Sequence, residues 1–274
     1  MNEFPSALDH VHATLSELHE QGVELRASAS ALARLENTPT AAQQEPAPLP
    51  SPVPAAAARP LSPAPDGSKA QRLAALRGPV LACTLCPHLV KSRTQVVFGV
   101  GNPEAEVMFV GEAPGEDEDL QGEPFVGKAG QLLTKIIAAM GYRREDVYIG
   151  NVLKCRPDMP PGESGNRKPT TAEMATCLPY LRQQIDIIQP RALVALGATA
   201  MEGLLGANEP IGKLRGRWHD FQGIPLMATY HPAYLLRNQS LTEKRKVWED
   251  MLLVLERLAK PISDKQRGFF LGKA

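Results

Sequence analysis

Val107-Met108-Phe109-Val110-Gly111-Glu112-Ala113-Pro114-Gly115 sets the structural class of this chain. Four apolar residues run together without polar alternation, the pattern of a strand buried on both faces, and the run stops at a glycine followed by a polar turn. Three further runs have the same form. Val147-Tyr148-Ile149 ends in Gly150-Asn151, Ala192 to Leu196 ends in Gly197, and Pro225 to Thr229 ends in Tyr230-His231-Pro232. Between them lie segments of helical period at Ala129 to Met140, Thr171 to Ile188, Ala198 to Leu205 and Leu241 to Leu258. Thr170-Thr171 ahead of Glu173 supplies a helix start, and Gly141 and Pro190 supply stops. Strands alternating with helices predict an α/β protein, a three-layer αβα sandwich around a central, mainly parallel four-stranded sheet.

In such a sheet, functional groups gather beyond the carboxyl ends of the strands. The unusual polar peptides of this sequence, Gly111 to Gly115, Asn151 and His231-Pro232, all fall at those ends. Three separate segments are therefore expected to converge on one edge as an active site.

The chain has 274 residues and 25 prolines, and the prolines are unevenly spread. From about Thr38 to Asp66 it is almost all Ala, Pro, Ser and Gln, too poor in large apolar groups to offset the entropy of ordering. Residues 38–68 are expected to be a disordered linker and residues 69–261 the folded domain. Residues 1–37 form a tail in which Leu8, Val11, Leu15 and Leu18 suggest short helices, and residues 262–274 form a second tail. The net charge is zero, but the first 69 residues carry eight acids against four bases, which leaves a net +4 on the remainder. That excess is compatible with a phosphate-binding face without demonstrating one. No apolar run is long enough to span a membrane, and the start has neither a basic end nor an apolar core. A cytoplasmic protein is expected.

Four cysteines make up the whole set. Cys83 and Cys86 form a C-x2-C pair ahead of the first strand, Cys155 lies four residues past Asn151, and Cys177 falls in the helix after a Pro-rich loop. In an intracellular setting they read as ligands or free thiols rather than disulfides. Four thiolates suit tetrahedral zinc or an iron–sulfur cluster, and spacing alone does not separate the two.

Taken together, the peptides resemble the family 4 uracil-DNA glycosylases, the iron–sulfur branch of the uracil glycosylase superfamily. The resemblance rests on Cys83-Thr-Leu-Cys86, Gly111-Glu-Ala-Pro-Gly-Glu-Asp-Glu-Asp119, Gly122-Glu-Pro-Phe-Val-Gly-Lys-Ala-Gly130, Asn151-Val-Leu-Lys-Cys-Arg-Pro157, Asn166-Arg-Lys-Pro-Thr170, Leu196-Gly197 and His231-Pro-Ala-Tyr-Leu-Leu-Arg237. These occur in the family's order over roughly residues 80–255. The resemblance implies a 4Fe–4S cluster on Cys83, Cys86, Cys155 and Cys177. The 21 residues between Cys155 and Cys177 exceed the usual family spacing by a short loop, placed at Asp158 to Gly165.

It also implies roles for the strand-end residues. A glycosylase must extrude the nucleotide, hold its base and stabilise the departing anion. Phe125 stacks on the base, where an isolated phenylalanine would be read as core. Asn151 reads the uracil edge, donating to O4 and accepting from N3–H, a pattern cytosine reverses. His231 donates to O2. The Gly111–Gly115 turn, with Glu112 and Ala113, supplies backbone N–H groups to the base and the water. Ala113 stands where other uracil glycosylases carry a water-orienting Asp, and Glu118 or Glu112 is a candidate to position the water instead. Gly115 replaces a Tyr that excludes thymine elsewhere. Arg237, with Leu235 and Leu236, is expected to enter the duplex. Lys213, Arg215 and Arg217 form a basic run, and Lys128 and Lys168 are further candidates for DNA contact.

The expected partner is thus uracil-containing DNA, bound by a monomer. Gln266-Arg-Gly-Phe-Phe270 also looks like a sliding-clamp-binding peptide. A non-catalytic nucleic-acid-binding module with a structural four-cysteine metal site is the rival reading, and the presence of Phe125, Asn151 and His231 argues against it.

Overall fold

The computed structural model describes residues 67–271 apart from Pro161. The expected N-terminal helices, and all of the expected linker but its last two residues, lie outside the described residues. The first described helix, α1 (Lys69–Leu81), is opened by a capping box in which Ser68 and Gln71 satisfy each other's backbone N–H groups. A short helix, α2 (Pro87–Ser92), follows the C-x2-C pair, with Pro87 in its first turn.

The four apolar runs form a parallel sheet core. It consists of β2 (Val107–Gly111), β3 (Tyr148–Asn151), β4 (Ala192–Leu196) and β6 (Ile224–Thr229). Two short strands that the sequence did not predict extend it to six among the described residues. They are β1 (Val100–Gly101), antiparallel to β3, and β5 (Trp218–Phe221), antiparallel to β6. The order is β1-β3-β2-β4-β6-β5, so the expected four-stranded sheet is corrected to a six-stranded one with antiparallel edges. The β5–β6 hairpin turns at Gln222-Gly223, both at positive φ (55° and 85°), the geometry of a tight turn whose twist suits the strands.

The helices of the two outer layers are α3 (Glu116–Gln121), α4 (Lys128–Ala139), α5 (Thr171–Ile188), α6 (Ala198–Leu205), α7 (Ile211–Leu214), α8 (Pro232–Arg237), α9 (Leu241–Arg257) and α10 (Asp264–Arg267). Alternate side chains of each central strand enter opposite cores, as the pleat requires. Met108, Val110, Leu193 and Ala195 pack with Leu181, Ile185 and Met201 on one face. Val107, Phe109, Ile149 and Val194 pack with Leu133, Ile137, Met251 and Leu255 on the other.

The segment expected to be a C-terminal tail is, through Leu271, part of the folded body. Trp248 Nε1 donates to the Gln266 carbonyl at 2.6 Å and Gln266 Nε2 donates to the Ala139 carbonyl at 3.0 Å. The rings of Phe269 and Trp248 lie 5.2 Å apart. The glutamine and first aromatic of the clamp-like peptide are therefore engaged with their own body. None of the described helices is long and apolar enough to cross a membrane.

Candidate active site

Strand register brings the polar peptides together. Gly111 is paired with Asn151 across β2–β3, and Leu196 with Thr229 across β4–β6, so all four core strands end at one level. Asn151 is 2% exposed, and its side-chain oxygen meets no hydrogen-bond partner among the described residues. An orphaned buried carbonyl costs about 1–3 kcal/mol. This one belongs to a residue lining a pocket at a strand end, where it can accept from an N–H.

Phe125 sits in the 122–127 loop at φ 56°, a left-handed conformation that side chains seldom adopt. Three restraints hold it. Glu118 accepts the N–H groups of Val126 and Gly127 at 3.0 and 3.1 Å. Arg144 donates to the Pro124 carbonyl at 2.6 Å. Gly130, at the start of α4, lets the Phe125 carbonyl approach where any side chain would collide. The ring centroid then lies 5.6 Å from that of His231.

His231 caps α8, its Nδ1 accepting the Ala233 N–H at 3.1 Å. An accepting Nδ1 leaves the hydrogen of the neutral ring on Nε2. Burial, reinforced by the positive charge of Arg237, pulls the imidazole's pKa down to about 4, so the neutral donor is the form present near neutrality.

Asn151, Phe125 and His231 share one cavity of about 400 Å³ with Glu112, Ala113, Pro114, Gly115, Glu118, Ala129 and Ala233, and Asn166, Arg167 and Arg237 complete its wall. The structure thus gathers most of the expected residues. It also redirects several of them. Glu118, expected as a candidate to position water, is engaged with backbone. One carboxylate oxygen takes the Gly115 N–H at 3.1 Å while the other holds the Phe125 loop, so the carboxylate knits the two loops together. The Gly115 N–H is consumed in that bond and is not offered to the base. Burial raises the Glu112 carboxyl above its ordinary range, opposed by a bond from Thr199 and the charge of Lys168.

Arg215, a candidate for DNA contact, is engaged within the body. It is bound to the fully buried Asp250 at 2.7 Å and to the Lys246 carbonyl, with its guanidinium over the Tyr230 ring. Leu235 is buried in the body and Leu236 is exposed, both within α8. Lys213, Arg217 and Lys128 are exposed, and Lys168 pairs with Glu202. Asn166 and Arg167 had no role in the sequence reading, although their motif was visible there.

The four thiols lie close enough to feel one another's charge. Cys86 is pushed up to about 11 and Cys177 to about 12, in both cases by burial first, with Cys155 and Cys83 adding to it. Arg93 donates to Cys155 Sγ at 2.9 Å and the Lys154 N–H to Cys177 Sγ at 3.3 Å, bonds that favour thiolate over thiol. Four thiols within electrostatic reach of one another, two of them accepting hydrogen bonds, make a donor set suited to a four-thiolate centre. Among the described residues, the three metal-type ligand atoms lying within 4.8 Å of one another belong to His88, Asp158 and Glu173. That group is not a metal centre, because Arg167 occupies it, bonded to Asp158 and to both oxygens of Glu173.

The family model of the uracil DNA glycosylase superfamily matches residues 98–252, which span β2, β3, β4, β6 and the pocket residues. A Type-4 uracil-DNA glycosylase of Thermotoga maritima is 50% identical over 175 residues, covering 63% of this chain and 87% of that protein. One of Archaeoglobus fulgidus is 43% identical over 173 residues, 60% of this chain and 83% of the relative. A Type-5 uracil-DNA glycosylase of Pyrobaculum aerophilum is 30% identical over 210 residues, 65% and 88% respectively. With the strand-end asparagine, Phe125 and the capping histidine in one cavity, the chain belongs to the uracil DNA glycosylase superfamily, alongside its Type-4 members.

Proposed function

We propose that this protein releases uracil from DNA by hydrolysing the N-glycosidic bond, leaving an abasic site. The observation that carries the reading is the unpartnered, buried side-chain oxygen of Asn151 within the Phe125–His231 cavity. Uracil has an N–H at position 3 for that oxygen and a carbonyl at position 4 for the amide NH₂. Cytosine offers the reverse and would leave both groups unsatisfied.

Each residue then has a task. Phe125 gives the extruded base an aromatic face and is already fixed by its loop, so little ordering remains on binding. His231 directs Nε2–H at O2, where negative charge grows as the bond breaks, and remains neutral while doing so. Arg237 adds positive charge at the cavity wall, favouring the uracil anion and a flanking phosphate. Ala113 cannot orient water and Glu118 is committed to backbone, so rate acceleration leans on the leaving group.

Cys83, Cys86, Cys155 and Cys177 would hold a 4Fe–4S cluster, and the hydrogen bonds donated to Cys155 and Cys177 favour the thiolates that such a cluster needs. When bound, the cluster supplies a covalent tie between the segment before α2, the loop after β3 and helix α5. We assign the exposed Leu236, Lys213 and Lys128 to the DNA-facing surface, and a single copy of the chain suffices because one cavity carries every reacting group.

The test is uracil release from single-stranded and duplex oligonucleotides by the holoprotein and its Asn151→Ala and His231→Ala variants. Release of free uracil that falls by roughly 10²–10³ in each variant is expected. No release by protein with a full iron complement would overturn the reading in favour of a binding module.

A further inference from the structure

Directly behind the strand end that presents Asn151 lies a lysine the chemistry above does not use. Lys154 is 1% exposed, among the most enclosed side chains in the body. Its Nζ donates to the backbone carbonyl of Asn151 at 2.9 Å and to Gln184 Oε1 at 2.5 Å. Gln184 is fully buried and is anchored in turn, its Nε2 donating to the Phe98 carbonyl at 2.9 Å and to the Tyr148 hydroxyl at 3.1 Å.

Enclosing an ammonium is costly, and an alkyl chain of similar volume would fill the space without that cost. What the alkyl chain could not do is bond the Asn151 carbonyl. That carbonyl follows the last ladder pair of β2 and β3, Gly111 with Asn151. The peptide between Asn151 and Val152 is thus gripped by Lys154 on one side and by the Val152 N–H to Gly111 carbonyl bond on the other. The orientation of that peptide sets the direction in which the Asn151 side chain leaves the backbone. Lys154 is itself held twice by α5. Gln184 takes its amine, and Cys177, two turns earlier, accepts its backbone N–H at 3.3 Å.

We propose that Lys154 and Gln184 are positioning residues for Asn151, fixing the base-reading amide from behind and so setting both uracil affinity and the rate of excision. The inference rests on the uracil-excision reading. It gives α5 a second role beyond its cysteine, because the helix that carries Cys177 also aims the residue that reads the base.

The experiment uses the full-length holoprotein, with Lys154→Met and Gln184→Met, each alone and in an Asn151→Ala background. Iron content, the single-turnover excision rate on a uracil oligonucleotide and the inhibition constant for free uracil are measured. With iron content unchanged, each single variant should lose roughly ten- to hundredfold in rate, the scale expected of a displaced reacting geometry. Free-uracil inhibition should weaken in parallel. In the Asn151→Ala background the same changes should cost nothing further, because the residue they position is gone. Losses that add fully to that of Asn151→Ala, or variants with wild-type rate and inhibition, would overturn the proposal. So would failure of both variants to fold or keep iron, since the pair would then be structural. A wild-type holoprotein that releases no uracil brings down the excision reading itself, and this inference with it.

Discussion

Gly111 stands across the β2–β3 ladder from Asn151, and a methyl group on it would come within 2.6 Å of the Phe125 ring and closer still to the Asn151 side-chain oxygen. The Phe125 ring and the Asn151 amide meet over a position that has room for hydrogen alone. Gly111→Ala should therefore displace both together. We expect uracil release to fall by about two orders of magnitude and thermal stability to drop by about 1–3 kcal/mol, the scale of overpacking a core. Single-turnover excision alongside calorimetric melting checks this, and unchanged kinetics would mean that the two side chains move aside freely.

Glu118 offers a sharper contrast. A carboxylate that activated water would impose its own acid limb on the rate, and its amide variant would lose nearly all activity. A carboxylate that ties the Gly115, Val126 and Gly127 N–H groups acts through the Phe125 loop instead. Glu118→Gln retains one accepting oxygen. It should reduce kcat by roughly tenfold, in line with weakening one or two charge-assisted bonds of about 1.5–3 kcal/mol each. The shape of the pH–rate profile should not change, and its disappearance on the acid side would restore Glu118 as a base.

The protonation of His231 makes a prediction about acid pH. Its pKa in the folded protein is about 4, below the ordinary histidine value, so the ring stays neutral well into acid. The His231-dependent fall in kcat/KM should accordingly centre near pH 4 rather than near 6.5. The stability effect has the matching sign. A histidine with a lowered folded pKa favours unfolding as pH falls through the unfolded value toward the folded one. An acid limb near 6.5 that vanishes in His231→Ala would refute the buried neutral donor.

Glu173 should weaken the fold in acid by the opposite route. Burial alone would raise it, but bonds from Arg167, the Thr170 N–H and His88 outweigh burial and hold the carboxyl down at about 2. A depressed folded pKa gives stability that is complete above the unfolded value and lost as pH falls toward the folded one. The wild-type protein should thus lose about 3 kcal/mol between about pH 5 and pH 2 that Glu173→Gln does not lose. Denaturant melts of both proteins at stepped pH measure the difference, and parallel curves would exclude the charged network as a source of stability.

The parallel core was legible because each of its strands is a short apolar run closed by a glycine or a polar turn and alternating with helical segments, the pattern of a sheet covered on both faces. The edge strands were not. Val100–Gly101 is too short to have a pattern, and Trp218 to Phe221 mixes two ring residues with His219 and Asp220. Asn151 and His231 could be named because each lies in a distinctive peptide at a strand end, and Phe125 because its Gly122-to-Gly130 peptide carries the family resemblance. The tasks of Glu118 and Arg215 could not be read. What a carboxylate or guanidinium touches depends on chain far away, a loop folding back for the one and Asp250, 35 residues on, for the other. Lys154 was hidden for the same reason, since a lysine beside a cysteine gives no sign of being enclosed.

Phe125 is held at a backbone angle that costs a phenylalanine about 1–3 kcal/mol and a glycine almost nothing. A search for hardier variants that scored folding alone would be drawn to glycine or asparagine there, and would erase the aromatic face proposed to carry the base. At this position durability and usefulness pull the chain in opposite directions, and the strained residue shows which of the two has been kept.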